Sequence, residues 1–136
     1  MDIRTLEERL HVSPQIRLED LPSIAGRGYG AVISNRPDGE EPDQPTADQV
    51  RQAAEAAGLA FVHIPVRGAF PAEEVARFSE ALETLPGPVF GFCRSGTRTT
   101  FMWALSQAGQ RPADEIIARA AAAGYDVSPL ASQLQG

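Results

Sequence analysis

The residues best suited to chemistry lie in one stretch, "GFCRSGTRTT", at positions 91–100. It holds Cys93, the single cysteine of the chain, followed by Arg94, Ser95, Gly96, Thr97, Arg98 and Thr99. A cysteine is a nucleophile as its thiolate, which is favoured beside backbone N–H groups, a helix N-terminus or a guanidinium. Gly96 permits a turn with positive φ, in which the N–H groups of residues 94–98 converge on an anion. A helix starting near Arg98 adds unsatisfied N–H groups and the positive end of its dipole. Arg98 offers two parallel donors to an oxyanion, a geometry that lysine cannot match. Thr99 follows, with a hydroxyl placed to donate to the sulfur. A lone cysteine is more often a small buried apolar side chain, but that role has no use for Gly96, two arginines and three hydroxyl residues. The stretch reads as a cysteine nucleophile in an oxyanion-binding loop.

Such a loop needs elements that hold it. Short apolar segments rich in β-branched or aromatic residues predict strands at 29–35, 59–64 and 88–93. A weaker one, "HVSPQI" at 11–16, is interrupted by Pro14. Helices are predicted at 46–58, 70–87, 98–109 and 111–124. The first opens with Thr46 and Gln49 at capping-box spacing, the second with Pro71, Glu73 and Glu74 in its first turn. Strands alternating with helices predict an α/β fold with a mostly parallel sheet covered on both faces. Ligands of open α/β sheets bind beyond the carboxyl ends of the strands. Three such ends converge here: one delivers Asn35, Arg36 and Asp38, the next Arg67, the last Cys93. The expected pocket is therefore lined by Arg36, Asp38, Arg67 and Arg98. His63, inside an apolar strand, reads as a hydrogen-bonded core residue, and Tyr125 as an anchor of the C-terminal tail.

Composition narrows the partners. With 12 arginines, no lysine and 18 acidic residues, the formal net charge is −6, which argues against sequence-independent binding to nucleic acid. One cysteine allows neither an internal disulfide nor a cysteine-based zinc site. No group of ligands has metal-site spacing, so neither metal nor cofactor is expected. No apolar run approaches the length of about 18 residues that a membrane helix requires. The opening "MDIRTLEERL" has no leader pattern, so a cytoplasmic protein with a reduced thiol is expected. The 136 residues are read as one domain, 1–136.

Four segments taken together, "NRPDGEEPDQP", "VHIPV", "CRSGTRT" and "AAAAGYD", resemble the DUF442 family, the phosphatase-like domain of beta-lactamase hydrolase-like proteins. The resemblance spans nearly the whole chain. It implies the fold of dual-specificity protein tyrosine phosphatases, with Cys93 as nucleophile, Arg98 as oxyanion clamp and Thr99 as the hydroxyl after the arginine. It also implies a metallo-beta-lactamase-like hydrolase as partner, since the domain occurs fused to such hydrolases. Two departures from the phosphatase pattern keep a second chemistry open. Four residues separate Cys93 from Arg98 where phosphatases have five, and Phe92 replaces the usual histidine. The four-residue spacing of "CRSGTR" resembles rhodanese sulfurtransferases, which carry a persulfide on the cysteine. The segment "IPVRGAFP" has no acid to protonate a leaving group, which leaves Asp38 and Glu40 as substitutes. Three functions follow: a cysteine-dependent hydrolase of phosphate monoesters, a sulfurtransferase using a small anionic sulfur donor, and a non-catalytic anion-binding or regulatory module.

Overall fold

The computed structural model describes residues 1–135. Its strands are β1 (Arg4–Glu7), β2 (Leu10–Ser13), β3 (Ala31–Ser34), β4 (Ala60–His63) and β5 (Val89–Phe92). They form one sheet in the order β1-β2-β5-β3-β4. β1 runs antiparallel to β2, and all other pairings are parallel. The helices are α1 (Leu21–Gly26), α2 (Ala47–Ala56), α3 (Ala72–Thr84), α4 (Thr97–Ser106), α5 (Ala113–Ala122) and α6 (Ala131–Leu134). None of the described helices is long and apolar enough to cross a membrane.

Side chains alternate across the central strands and so bury two apolar layers. Ala31, Ile33 and Val89 join Phe78, Met102, Trp103 and Ile116 in one cluster, on the side of α3, α4 and α5. Val32, Phe90 and Phe92 join Ile24, Val50 and Ala54 in the other, on the side of α1 and α2. β3 and β5 are buried along their whole length, which is why their sequences are apolar runs rather than alternating patterns. Gly91 has a packing role: a Cβ there would lie 2.8 Å from the Thr99 methyl carbon. Glycine at this point lets α4 lie close against the sheet, directly above the strand that ends at Cys93.

The predicted strands and helices are present, with ends that local chemistry explains. β2 stops at Ser13, because Pro14 cannot donate to a ladder. Thr46 Oγ1 accepts from Gln49 N at 3.1 Å while Gln49 Oε1 accepts from Thr46 N at 2.9 Å, a reciprocal cap that starts α2. Pro71 proves to be the N-cap of α3 rather than its first residue.

What matters for the site is register. Ser13 and Ser34 both lie opposite Phe92, and Ser34 lies opposite His63. The carboxyl ends of β2, β5, β3 and β4 are therefore level, and the loops that leave them share one rim.

Candidate active site

Cys93 is the first residue after β5, and the turn that follows feeds α4. Gly96 is the N-cap of that helix with φ +93°, a left-handed conformation that costs other residues roughly 1–2 kcal/mol. The position is also closed to a side chain, since a Cβ there would overlap the Tyr125 hydroxyl. Thr100 Oγ1 donates to Gly96 O at 2.8 Å, and Tyr125 Oη donates to Ser95 O at 3.1 Å. Ser95 and Thr97 are exposed, with Ser95 Oγ donating to Thr97 Oγ1 at 3.0 Å. The helix starts at Thr97, one residue earlier than the sequence reading placed it.

Cys93 has no exposed surface, yet its sulfur is turned toward the loop rather than into hydrocarbon. Gly96 N donates to Cys93 Sγ at 3.1 Å. Tyr125 is held above its ordinary pKa, chiefly by burial, with a smaller part from the charge of Cys93. Arg98 is also held above its ordinary pKa, chiefly by the hydrogen bond to Glu40 and against the effect of burial, and the Cys93 charge adds to it. The thiol, the Gly96 amide, Arg98 and Tyr125 form one electrostatic unit.

Arg98 makes a fork with a carboxylate. Its Nη1 donates to Glu40 Oε2 at 2.8 Å and its Nη2 to Glu40 Oε1 at 2.8 Å. Nη1 also donates to the Val66 carbonyl at 3.1 Å. Glu40 receives a second arginine, Arg36, whose Nε donates to Oε1 at 2.9 Å. These partners pull the Glu40 carboxyl down from 4.5 to about 2, the Arg98 hydrogen bond being the main cause. Glu40 therefore carries a full negative charge near neutrality.

That shift predicts acid sensitivity. The unfolded chain protonates Glu40 near pH 4.5 while the folded protein keeps it ionised to about pH 2. Stability from the pair is complete above pH 4.5 and is lost as the pH falls through that window. Only about a fifth of the Glu40 side chain is exposed, so the loss is expected to be on the order of 2 kcal/mol after solvent screening. Urea unfolding at successive pH values checks it: Glu40→Gln should flatten the slope between pH 4.5 and 2. An unchanged slope would refute the pairing.

Other predicted site residues are placed differently. Asp38 does not sit on the cysteine loop: its Oδ1 accepts from Ala47 N at 2.8 Å, at the first residue of α2. The helix N-terminus, with free N–H groups and a positive dipole end, competes successfully for the carboxylate. Arg67 is exposed, makes no hydrogen bond or ion pair with the described residues, and does not join the Arg36–Glu40–Arg98 group. Thr99 is buried and its Oγ1 has no hydrogen-bond partner, so the expected bond to the sulfur is absent. Its methyl packs on Gly91 instead. Arg94 is two-thirds exposed and pairs with Glu41 at 3.0 Å. Arg36 is 4% exposed and belongs to the site.

Sequence reasoning named Glu40 only as a substitute acid and did not connect it to Arg98. The two are 58 positions apart, and no local pattern marks the pair. Gln15 is a further residue of the rim. Its N donates to Arg94 O at 3.1 Å and its Oε1 accepts from Arg36 Nη1 at 3.0 Å, which ties β2's end to both neighbouring loops. Asn35 serves the rim similarly, with N donating to Phe92 O at 2.9 Å and Nδ2 to Ile64 O at 2.8 Å. His63 Nε2 donates to Arg36 O at 2.8 Å, in line with its expected structural role.

Comparison with known proteins gives the family and the fold. A sequence model described as "Beta-lactamase hydrolase-like protein, phosphatase-like domain" matches residues 2–110. A beta-lactamase hydrolase-like protein of Xylella fastidiosa is 38% identical over 99% of this chain. The chain spans only 32% of that relative's length. The crystal structure of a candidate phosphatase from Neisseria meningitidis superposes with a TM-score of 0.87 at 38% identity, covering 99% of this chain and 97% of the other. Tk-PTP in its active form superposes with a TM-score of 0.73 at 17% identity, over 98% of this chain and 92% of the other. That last likeness is one of fold, the protein tyrosine phosphatase-like fold.

Proposed function

This chain belongs to the family of phosphatase-like domains of beta-lactamase hydrolase-like proteins, and from that premise we propose that it hydrolyses a phosphate monoester through the Cys93 thiolate. The observation that carries this reading is the loop itself. Gly96 N donates to Cys93 Sγ at 3.1 Å, in a loop that leads directly into α4, whose second residue is Arg98. A thiolate there attacks phosphorus, and the P–O bond to the leaving group breaks with its electron pair. Water then cleaves the S–P bond, releasing orthophosphate and a proton and restoring the thiolate. Loop amides and the Arg98 guanidinium stabilise the charge on the transferring oxygens.

The leaving group is where this site is specialised. Glu40, drawn down to about 2, holds no proton to give at neutral pH. Asp38 is engaged at the start of α2. The leaving oxygen must therefore depart without a carboxylic acid, which favours aryl or other stable anions over simple alkoxides. Asp38→Asn is expected to change turnover of aryl and alkyl phosphates alike by less than about twofold, because asparagine also caps a helix and the alkyl substrate is the one that would register a lost acid. A loss of tenfold or more would restore Asp38 as the acid.

One observation favours a second reading, sulfur transfer. Four residues lie between Cys93 and Arg98, and a tight loop suits a single sulfur atom. In that chemistry the thiolate attacks the outer sulfur of thiosulfate, the S–S bond breaks, sulfite leaves, and the persulfide passes its outer sulfur to cyanide or a thiol. A paired measurement separates the two: phosphate release from p-nitrophenyl phosphate under reducing conditions, and intact mass after thiosulfate. Phosphate release without a mass gain is the expected result. A dischargeable gain of one sulfur, about 32 Da, with no phosphate release, would overturn the hydrolase reading in favour of the second.

A further inference from the structure

Next to the cysteine loop lies a cleft of about 540 Å³ that the proposed chemistry leaves unused, bounded by Gln15, Arg36, Glu41, Gln44 and Arg94. Arg36 is a buried guanidinium at 4% exposure. Its Nε and Nη1 are held by Glu40 at 2.9 Å and Gln15 at 3.0 Å. Its Nη2 is buried and has no hydrogen-bond partner; Glu41 Oε1 lies 3.6 Å from it. An unsatisfied charged donor of this kind is costly and uncommon in a folded protein. Gln44 Oε1 on the same cleft is likewise buried without a partner. Glu41 also takes Arg94 Nη2 at 3.0 Å and is itself 42% exposed. It is thus the shared counter-ion of two arginines, one buried and one exposed. Around them Arg17 pairs with Glu19 at 3.6 Å, and Asp43 completes the acidic lining.

We propose that this cleft is a second anion subsite, selecting phosphate monoesters whose leaving group bears a further carboxylate or phosphate. The second anion binds between Arg36 and Arg94 and displaces Glu41. This rests on the phosphatase reading above and names its substrate class. Two features place the subsite within reach of the reacting phosphate. Arg94 is the residue after Cys93, and Arg36 shares the Glu40 carboxylate with Arg98. The exchange is favourable because Glu41 returns to solvent with little loss, as half-exposed ion pairs do. Arg36 is already held in place by Glu40 and Gln15, so little freedom is lost on binding. The three carboxylates of the lining match its three arginines, so an incoming anion gains only by taking the place of Glu41.

Calorimetry on the whole chain with two non-hydrolysable probes, phenylphosphonate and 3-carboxyphenylphosphonate, tests this independently of turnover. The carboxylated probe is expected to bind about tenfold more tightly, the worth of one charge-assisted contact. Arg94→Ala should reduce that preference to about twofold or less, and Glu41→Gln should enlarge it. Opposite signs from two neighbouring substitutions are not produced by general loosening of the loop. Equal affinities of all the probes, benzene-1,3-diphosphonate included, in the unmodified protein, or a preference that moves the same way in both variants, would overturn the subsite. Benzene-1,3-diphosphonate, run in parallel, tells a phosphate-selective subsite from a carboxylate-selective one; a gain with either probe supports the subsite. Turnover of phenyl phosphate is the separate control: its absence defeats the catalytic reading alone, while the affinity ratios still judge the cleft.

Discussion

Replacement of Cys93 by serine is expected to abolish release of phosphate from an aryl phosphate, lowering kcat by about four orders of magnitude or more. The substitution changes one atom at a site with no exposed surface, where Gly96 N can donate to oxygen as it does to sulfur at 3.1 Å. What disappears is the nucleophile. A serine hydroxyl is not ionised near neutrality, and no histidine or carboxylate of this site is placed to take its proton. Glu40 is bound by two guanidinium groups, and His63 is bonded to the Arg36 carbonyl. The thermal midpoint should move by only a few degrees, which separates lost chemistry from lost folding. Retention of more than about one per cent of the activity in a folded variant would rule out covalent catalysis by Cys93.

Arg98→Ala is expected to lower kcat/KM by about three orders of magnitude, in the range found when a charged oxyanion donor is removed. Arg98→Lys should recover less than about tenfold of that loss, because an ammonium cannot reproduce two parallel donors. The structure gives this comparison a second readout. Arg98 fills both oxygens of Glu40, so alanine leaves Glu40 with Arg36 alone, at 2.9 Å. Its carboxyl should then titrate higher than about 2, which NMR titration of the Glu40 carboxyl detects. A normal kcat/KM together with a raised Glu40 titration would assign Arg98 to loop structure only.

Much of this arrangement was readable from local chemistry. Four-residue strands such as "AVIS" and "VFGF" declare themselves by being apolar in at least three consecutive residues, since a central parallel strand is buried on both faces. The Thr46–Gln49 cap and Pro14's interruption of β2 act within a few residues, so the sequence contains the whole cause. The same holds for the cysteine loop, where Cys93, Gly96 and Arg98 lie within six positions and Gly96 takes the expected positive φ. The likeness of the whole chain to phosphatase-like domains added the fold on which these pieces sit.

Other elements had no such signal. β1, "RTLE", buries only Leu6 of its four residues; it is an edge strand held by its antiparallel pairing with β2 rather than by its own pattern. α1, "LPSIAG", is six residues long and contains both proline and glycine. It is helical because Leu21 and Ile24 are buried against the sheet layer of Val32 and Phe90, a tertiary cause that overrides weak propensity. The site divides along the same line. The sequence by itself determined which residues carry charge and which one carries a thiol. Only the tertiary structure decided that Glu40, not Asp38, meets Arg98. Both acids lie on one loop and differ by two positions, so local patterning cannot separate them. The choice went to whichever partner each could reach: the open amide of Ala47 at the start of α2 for Asp38, and two guanidinium groups for Glu40. Coulomb energy depends on distance in space, and the fold sets that distance between residues 58 positions apart.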